Sequence, residues 1–349
     1  MKKFVKITLV YCLSILLFVI LINIIIDPAN IVSKAEIKIA KYLSEGYNVT
    51  YAQNIDERIL QKKIIQNLQS SPAIVILGSS RVMLIGRDYY DNSCFNNCVS
   101  GASIEDIIAI YQLYIDNGRT GSIEKIVIGI DPWLFNKNND QNRWESLSNE
   151  YYSFMDKKIP IIKKIPIYKY SQLVSPSYFQ TSIKNIPKFI IRLKKNENIL
   201  PTNEYNNSSF TRLNDGTIEY GLEFRSKTII EIENEFKNYI SGNIYSLENY
   251  FELSRDLIND FELLIHRIIM NNINIEFLLM PYPAMVYDYL ISKDKYKIVS
   301  LVEEYITSFA LGNNICIFGS YNPELFGLNT EDFYDGMHLN NKGLRKILK

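Results

Sequence analysis

The sequence predicts an α/β protein built on a doubly wound, mostly parallel sheet, and three observations carry that expectation. Short, mostly apolar runs recur at residues 73–77, 125–130, 275–280 and 315–318, the pattern of strands buried on both faces. Segments with apolar residues at helical spacing lie between several of them, so strand, helix and strand alternate as parallel crossovers do. A chain of 349 residues can bury a substantial core and still carry an insertion.

From the N-terminus, residues 7–26 form an uncharged, almost wholly apolar stretch. About 20 such residues, at 1.5 Å each, span the hydrocarbon core of a bilayer. Lys2, Lys3 and Lys6 precede the stretch, which predicts a cytoplasmic N-terminus and an outer location for everything after Asp27. A cleaved signal peptide competes with an uncleaved anchor. Ile24, Ile25, Ile26, Asp27 and Pro28 follow without a small-residue cleavage pattern, which favours the anchor. Residues 1–28 are therefore read as a cytoplasmic tip and transmembrane helix. Residues 29–71 read as a stalk and lead-in helix, with Ile59, Leu60, Ile64, Ile65 and Leu68 at helical spacing before Ser70, Ser71 and Pro72 stop the pattern.

Residues 72–349 carry the predicted sheet. A helix over about 103–117 is capped by Ser103 with Asp106 three residues on. Leu257, Ile258, Phe261, Leu264, Ile265, Ile268 and Ile269 predict a second helix, and residues 296–309 a third. Between about 136 and 249 the alternation breaks. Ile-Pro pairs end at Pro160, Pro166 and Pro187, tyrosines are frequent, and an Asn214-Asp215-Gly216-Thr217 turn is flanked by Phe210, Ile218 and Tyr220. This stretch is read as an insertion of helices and a hairpin. Its Tyr and Lys content suits an ordinary packed cap, or a sugar-binding or partner-binding surface.

Composition excludes some functions. The 38 basic and 38 acidic residues balance, so no broad field invites nucleic acid. Two histidines and four cysteines without metal-ligand spacing argue against a metal site. Cys94 and Cys98 fit either a local bridge or two unpaired small side chains. His266 falls on the polar face of its helix and reads as a solvated surface histidine.

The candidate chemistry sits at two strand ends. A nucleophilic serine needs a base, a group that orients the base, and donors aimed at the developing oxyanion. Ser80 follows the first buried run, in Gly78-Ser79-Ser80-Arg81, where a turn lifts a side chain above the sheet edge and a following helix would aim its N-terminus at the site. His338 follows the last run, in Asp335-Gly336-Met337-His338-Leu339-Asn340. In a parallel sheet both loops converge on the carboxyl edge. Each signal alone is weak, because Gly and Ser favour such turns for conformational reasons and an Asp often starts a helix. Ser79 is the neighbouring alternative to Ser80. Their joint occurrence, serine first and Asp-x-x-His last, is much more restrictive.

That arrangement resembles the SGNH, or GDSL-like, hydrolases, whose fold is a flavodoxin-like three-layer sandwich. The first block matches at Gly78-Ser79-Ser80, with Ser80 at the nucleophile. The second matches at Asn96 through Ser100 and Gly101, which implies that the Ser80 and Gly101 amides form the oxyanion hole. The last matches at Asp335, His338 and Asn340. The third block departs: where the family has an oxyanion Asn, the chain has Asp131, in Gly129-Ile130-Asp131-Pro132-Trp133. A carboxylate donates no hydrogen bond unless protonated, so Asp131 is expected to shape its loop. Arg81 fits either an anionic substrate group or a structural ion pair. Together with the apolar helix and Met280-Pro281-Tyr282-Pro283, these motifs resemble the membrane-anchored DltD-like group of bacterial proteins. That resemblance implies a serine acyltransferase or esterase, needing no cofactor, on the outer face of the cytoplasmic membrane. It would act on acyl groups of a cell-envelope polymer beside a membrane-bound O-acyltransferase. A non-catalytic scaffold of the same fold, binding a polysaccharide or such a partner, is the alternative.

Overall fold

The computed structural model describes residues 2–28, 32, 35–50, 55–90, 93–159, 171–195, 200–204 and 208–348. Nine strands are present among them: β1 (Asn48–Thr50), β2 (Ile74–Leu77), β3 (Cys94–Asn96), β4 (Lys125–Gly129), β5 (Leu200–Thr202), β6 (Thr211–Arg212), β7 (Ile218–Glu219), β8 (Asn274–Leu279) and β9 (Cys316–Gly319). Five form one sheet in the order β3-β2-β4-β8-β9, every pair parallel. The order reverses after β3, so the loops following β2 and β4 flank a topological switch point. The fold is the expected doubly wound α/β sheet with an N-terminal apolar helix and an insertion.

Side-chain chemistry explains the layers. Val75, Ile76, Leu77, Ile126, Val127, Ile128, Phe277 and Leu278 are buried in the sheet, as runs covered on both faces must be. The crossovers β3 to β4, β4 to β8 and β8 to β9 all advance the same way. Right-handedness therefore puts their helices, Ile104–Asp116, Arg255–Met270 and Ile298–Gly312, on one face. Phe261 and Phe309 join two of these helices with ring centroids 5.5 Å apart. The predicted capping box of Ser103 and Asp106 is formed. The β2 to β3 connection runs the other way, over the opposite face, where Tyr89 donates to Asn341 O on the C-terminal helix Asn341–Ile347 at 3.3 Å.

Two features differ from the sequence expectation. β3, only three residues long, is not visible as a strand in the sequence. The described part of the 29–71 segment, read as a stalk and lead-in helix, packs against the rest of the chain. Its helices Ala35–Ser44 and Glu57–Asn67 pack around Ile39, Ala40, Leu43, Leu60 and Ile64, and β1 pairs antiparallel with β5 and β6 of the insertion. Arg58 reaches Asp106 through two buried bonds of 2.9 and 2.7 Å, a contact that an isolated helical arginine does not advertise. Of the two readings open for Cys94 and Cys98, the one without a bridge holds: no disulfide joins them and both are buried.

The insertion holds the helices Ser148–Phe154, Pro176–Lys195, Leu222–Arg225 and Ile229–Ser241, and the predicted hairpin as β6 and β7. Pro187 lies inside the second of these helices, while Pro160 and Pro166 fall outside the described residues. The N-terminal helix Lys2–Ile26 is long and apolar enough to cross a membrane. Its end docks on the insertion. Asn23 is buried, donating to Leu173 O and accepting from Ser182 Oγ, each at 2.8 Å, and Phe18 meets Phe179 edge-on at 6.4 Å.

Candidate active site

The sheet's carboxyl edge gathers five loops. After β2 the chain turns at Gly78, whose φ of +148° suits glycine and whose added Cβ would press on Val82 at 2.9 Å and Gly129 Cα at 3.2 Å. A single 3-10 turn, Ser80–Val82, follows in place of the expected helix. The two serines then part. Ser79 is fully buried, and its hydroxyl accepts from Arg81 N at 3.2 Å. Ser80 faces the opening, its Oγ 2.9 Å from His338 Nε2.

His338 is oriented from behind. Its Nδ1 lies 3.0 and 2.9 Å from the two carboxylate oxygens of Asp335, whose Oδ1 also accepts from the amides of Met337 and His338, both at 2.9 Å. Burial alone would raise the Asp335 carboxyl. His338 and the two amides outweigh it and hold the group below its ordinary value. With Nδ1–H directed at a carboxylate, Nε2 is left as the basic nitrogen towards Ser80.

Arg81 ties the loops together and faces inward. Its Nε donates to Met337 O at 3.1 Å, Nη2 to Met280 O and to Pro281 O at 3.0 Å, and Nη1 to Asp131 Oδ1 at 3.4 Å. The guanidinium lies 4.1 Å from the ring centroid of the buried Tyr282. Burial works against its charge, but Tyr282 and Asp131 more than offset this and its pKa is raised. Burial pushes the Asp131 carboxyl up, with Arg81 and Ser79 pulling it back. One ion pair thus connects the loops after β2, β4, β8 and β9. Asn340 is likewise engaged internally: its Oδ1 caps the last helix at Lys342 N and Gly343 N, 2.9 and 3.0 Å, and its Nδ2 donates to Glu331 O.

The second loop leaves β3 beside β2, with Asn97 N on Ile76 O at 2.8 Å and Val99 N on Gly78 O at 3.0 Å. Buried Asn96 pins the Ser80 turn by donating to Val82 O and Ile85 O, 2.9 and 2.8 Å. Gly101 follows with φ +54°. Among the described residues, neither the Ser80 amide nor the buried Gly101 amide has an acceptor, an uncommon state for a buried N–H. The helix Glu57–Asn67 holds this loop: Gln61 donates to Cys98 O at 3.1 Å, Asn97 donates to Gln61 Oε1 at 2.8 Å, and Glu57 accepts from Ser100 N.

Several neighbours carry no motif in the sequence. Tyr220 of the insertion stands 6.4 Å from the His338 ring and packs edge-on with Tyr334 at 5.3 Å. Burial raises the phenol of Tyr220, and that of Tyr334 to about 12, so both present neutral rings beside the base. Trp133 donates to Ala102 O at 3.0 Å and supports Tyr245 edge-on at 5.2 Å. His266 is exposed, away from this edge. Among the described residues no group of His, Cys, Asp and Glu is arranged to hold a metal.

No family model matches the chain, and no curated protein matches it. Among solved structures, a protein of Bacteroides fragilis NCTC 9343 described as a candidate acylhydrolase aligns with 80% of this chain and 87% of its own, at 11% identity and a TM-score of 0.36. At that similarity the chemistry rests on the geometry of the site itself.

Proposed function

We propose that the chain is a membrane-anchored serine acyltransferase or esterase that carries its acyl group on Ser80. The supporting observation is the line Ser80 Oγ, His338 Nε2 at 2.9 Å, and Asp335 on Nδ1, a nucleophile, base and orienting group within bonding reach. His338 takes the Ser80 proton as Oγ attacks an ester carbonyl. The Ser80 and Gly101 amides receive the negative oxygen, and the leaving alkoxide takes the proton back from His338. A water or sugar hydroxyl, deprotonated by His338, then releases the acyl group. Asp335 stays ionised and keeps the imidazole's tautomer fixed.

The apolar helix Lys2–Ile26 and the three lysines at its N-terminal end favour anchoring with the site outside, where an acyl-bearing envelope polymer is the substrate and a membrane-bound O-acyltransferase the partner. A neutral fluorophosphonate tests the nucleophile on the full chain in detergent. Labelling is expected in wild type and in Ser79→Ala, and is expected to vanish in Ser80→Ala and His338→Ala. Folded wild type that takes no label supports the non-catalytic scaffold instead. Competition between water and a polysaccharide acceptor for the acyl group separates hydrolysis from transfer.

A further inference from the structure

We propose that the Tyr245 hydroxyl, held by the Arg143 guanidinium, is the third donor of the oxyanion hole, in the role vacated by Asp131. The inference rests on Ser80 being the nucleophile. A Cβ built on Gly101 would overlap both the Tyr245 hydroxyl and Arg143 Nη2. Standard bond lengths then place the hydroxyl within about 4.5 Å of the Gly101 nitrogen, a separation that one oxygen accepting from both donors can bridge. Any side chain at position 101 would fill this space, which accounts for glycine beyond its φ.

The hydrogen bonds around Tyr245 leave its proton available. The hydroxyl oxygen accepts from Arg143 Nη2 at 2.8 Å and from Gln141 Nε2 at 3.4 Å. Among the described residues its own O–H has no acceptor, and Arg143 has no carboxylate partner. A phenol that accepts from a cation is a stronger donor in turn. Arg143 is fixed from its other side by Gln141 Oε1 at 2.9 Å, and Gln141 also donates to Gly101 O at 2.9 Å. Trp133, in the same loop as Asp131, supports the Tyr245 ring. As the bond from Ser80 Oγ to the carbonyl carbon forms, the carbonyl electron pair moves to oxygen and the Oγ proton to His338. Tyr245 donates a hydrogen bond to that oxygen and keeps its proton. On collapse the pair returns, the bond to the leaving oxygen breaks, and that oxygen takes the His338 proton.

Tyr245→Phe keeps the ring on Trp133 and removes the donor. With the full chain in detergent and p-nitrophenyl acetate, a neutral ester, kcat is expected to fall roughly 100-fold with KM changed less than threefold, as for loss of one oxyanion donor. Arg143→Ala should give a smaller fall of about tenfold, the size of one net hydrogen bond. Tyr245→Phe within twofold of wild type in kcat, or a change confined to KM, overturns the proposal while leaving Ser80 as nucleophile. Wild type that is inert at Ser80 overturns both together.

Discussion

Asp131 occupies a position where a neutral donor is expected, and its partner explains why a carboxylate is kept. Arg81 is fully buried and needs a counter-ion, so Asp131→Asn would leave a guanidinium uncompensated in the interior. Breaking such a pair costs about 3–5 kcal/mol. We expect Asp131→Asn to lower the unfolding free energy obtained from denaturant titration by that amount and to bring no gain in kcat; unchanged stability contradicts this. Asp335 makes a pH-dependent contribution. Its carboxyl lies below its ordinary value in the folded chain, so the native state favours the ionised form. That stability is present above about pH 4 and is lost as pH falls through the lowered folded value. The stability gap between wild type and Asp335→Asn should hold from pH 7 to 5 and close below 4 in denaturant titrations at each pH. At this scale, Ser80, Asp335 and His338 are legible in the sequence because each follows a short apolar run and their motifs occur together. The direction Arg81 faces is not, since both of its readings require the same residue. Tyr245 and Arg143 lie in the insertion without any motif, so only three-dimensional proximity to Gly101 reveals them.

At the scale of elements, apolar runs and helical spacing reveal four of the five parallel strands and their crossover helices, because those segments are long enough for periodicity to show. What escapes is short or polar. β1 and β3 have three residues each, and the helix Glu57–Asn67 does its positioning through Glu57, Arg58 and Gln61, polar residues that no motif singles out. In the fold these residues carry the Gly101 loop and pair with Asp106. Arg58→Ala leaves the fully buried Asp106 without its cation, and a loss of about 3–5 kcal/mol is expected. Arg58→Met with Asp106→Leu should recover part of it. If thermal melts show Arg58→Ala as stable as wild type, the helix is not the support inferred for the site.

For the whole molecule, the chain is a sheet domain whose N-terminal helix docks on the insertion through Asn23 and Phe18. Anchoring and sidedness can be read together from the cysteines. Cys316 is exposed, Cys12 lies in the N-terminal helix, and Cys94 and Cys98 are buried. A membrane-impermeant maleimide on intact cells should therefore label Cys316 alone, and labelling only after lysis would place the domain inside. The central claim is that Ser80 carries the acyl group, and rapid acid quench of the full chain with p-nitrophenyl acetate, followed by mass spectrometry of its peptides, tests it most directly. The account predicts a peptide containing Ser80 heavier by one acetyl group, formed in wild type and absent from His338→Ala. An acetyl group found on another residue, or turnover with no adduct on Ser80, would contradict it.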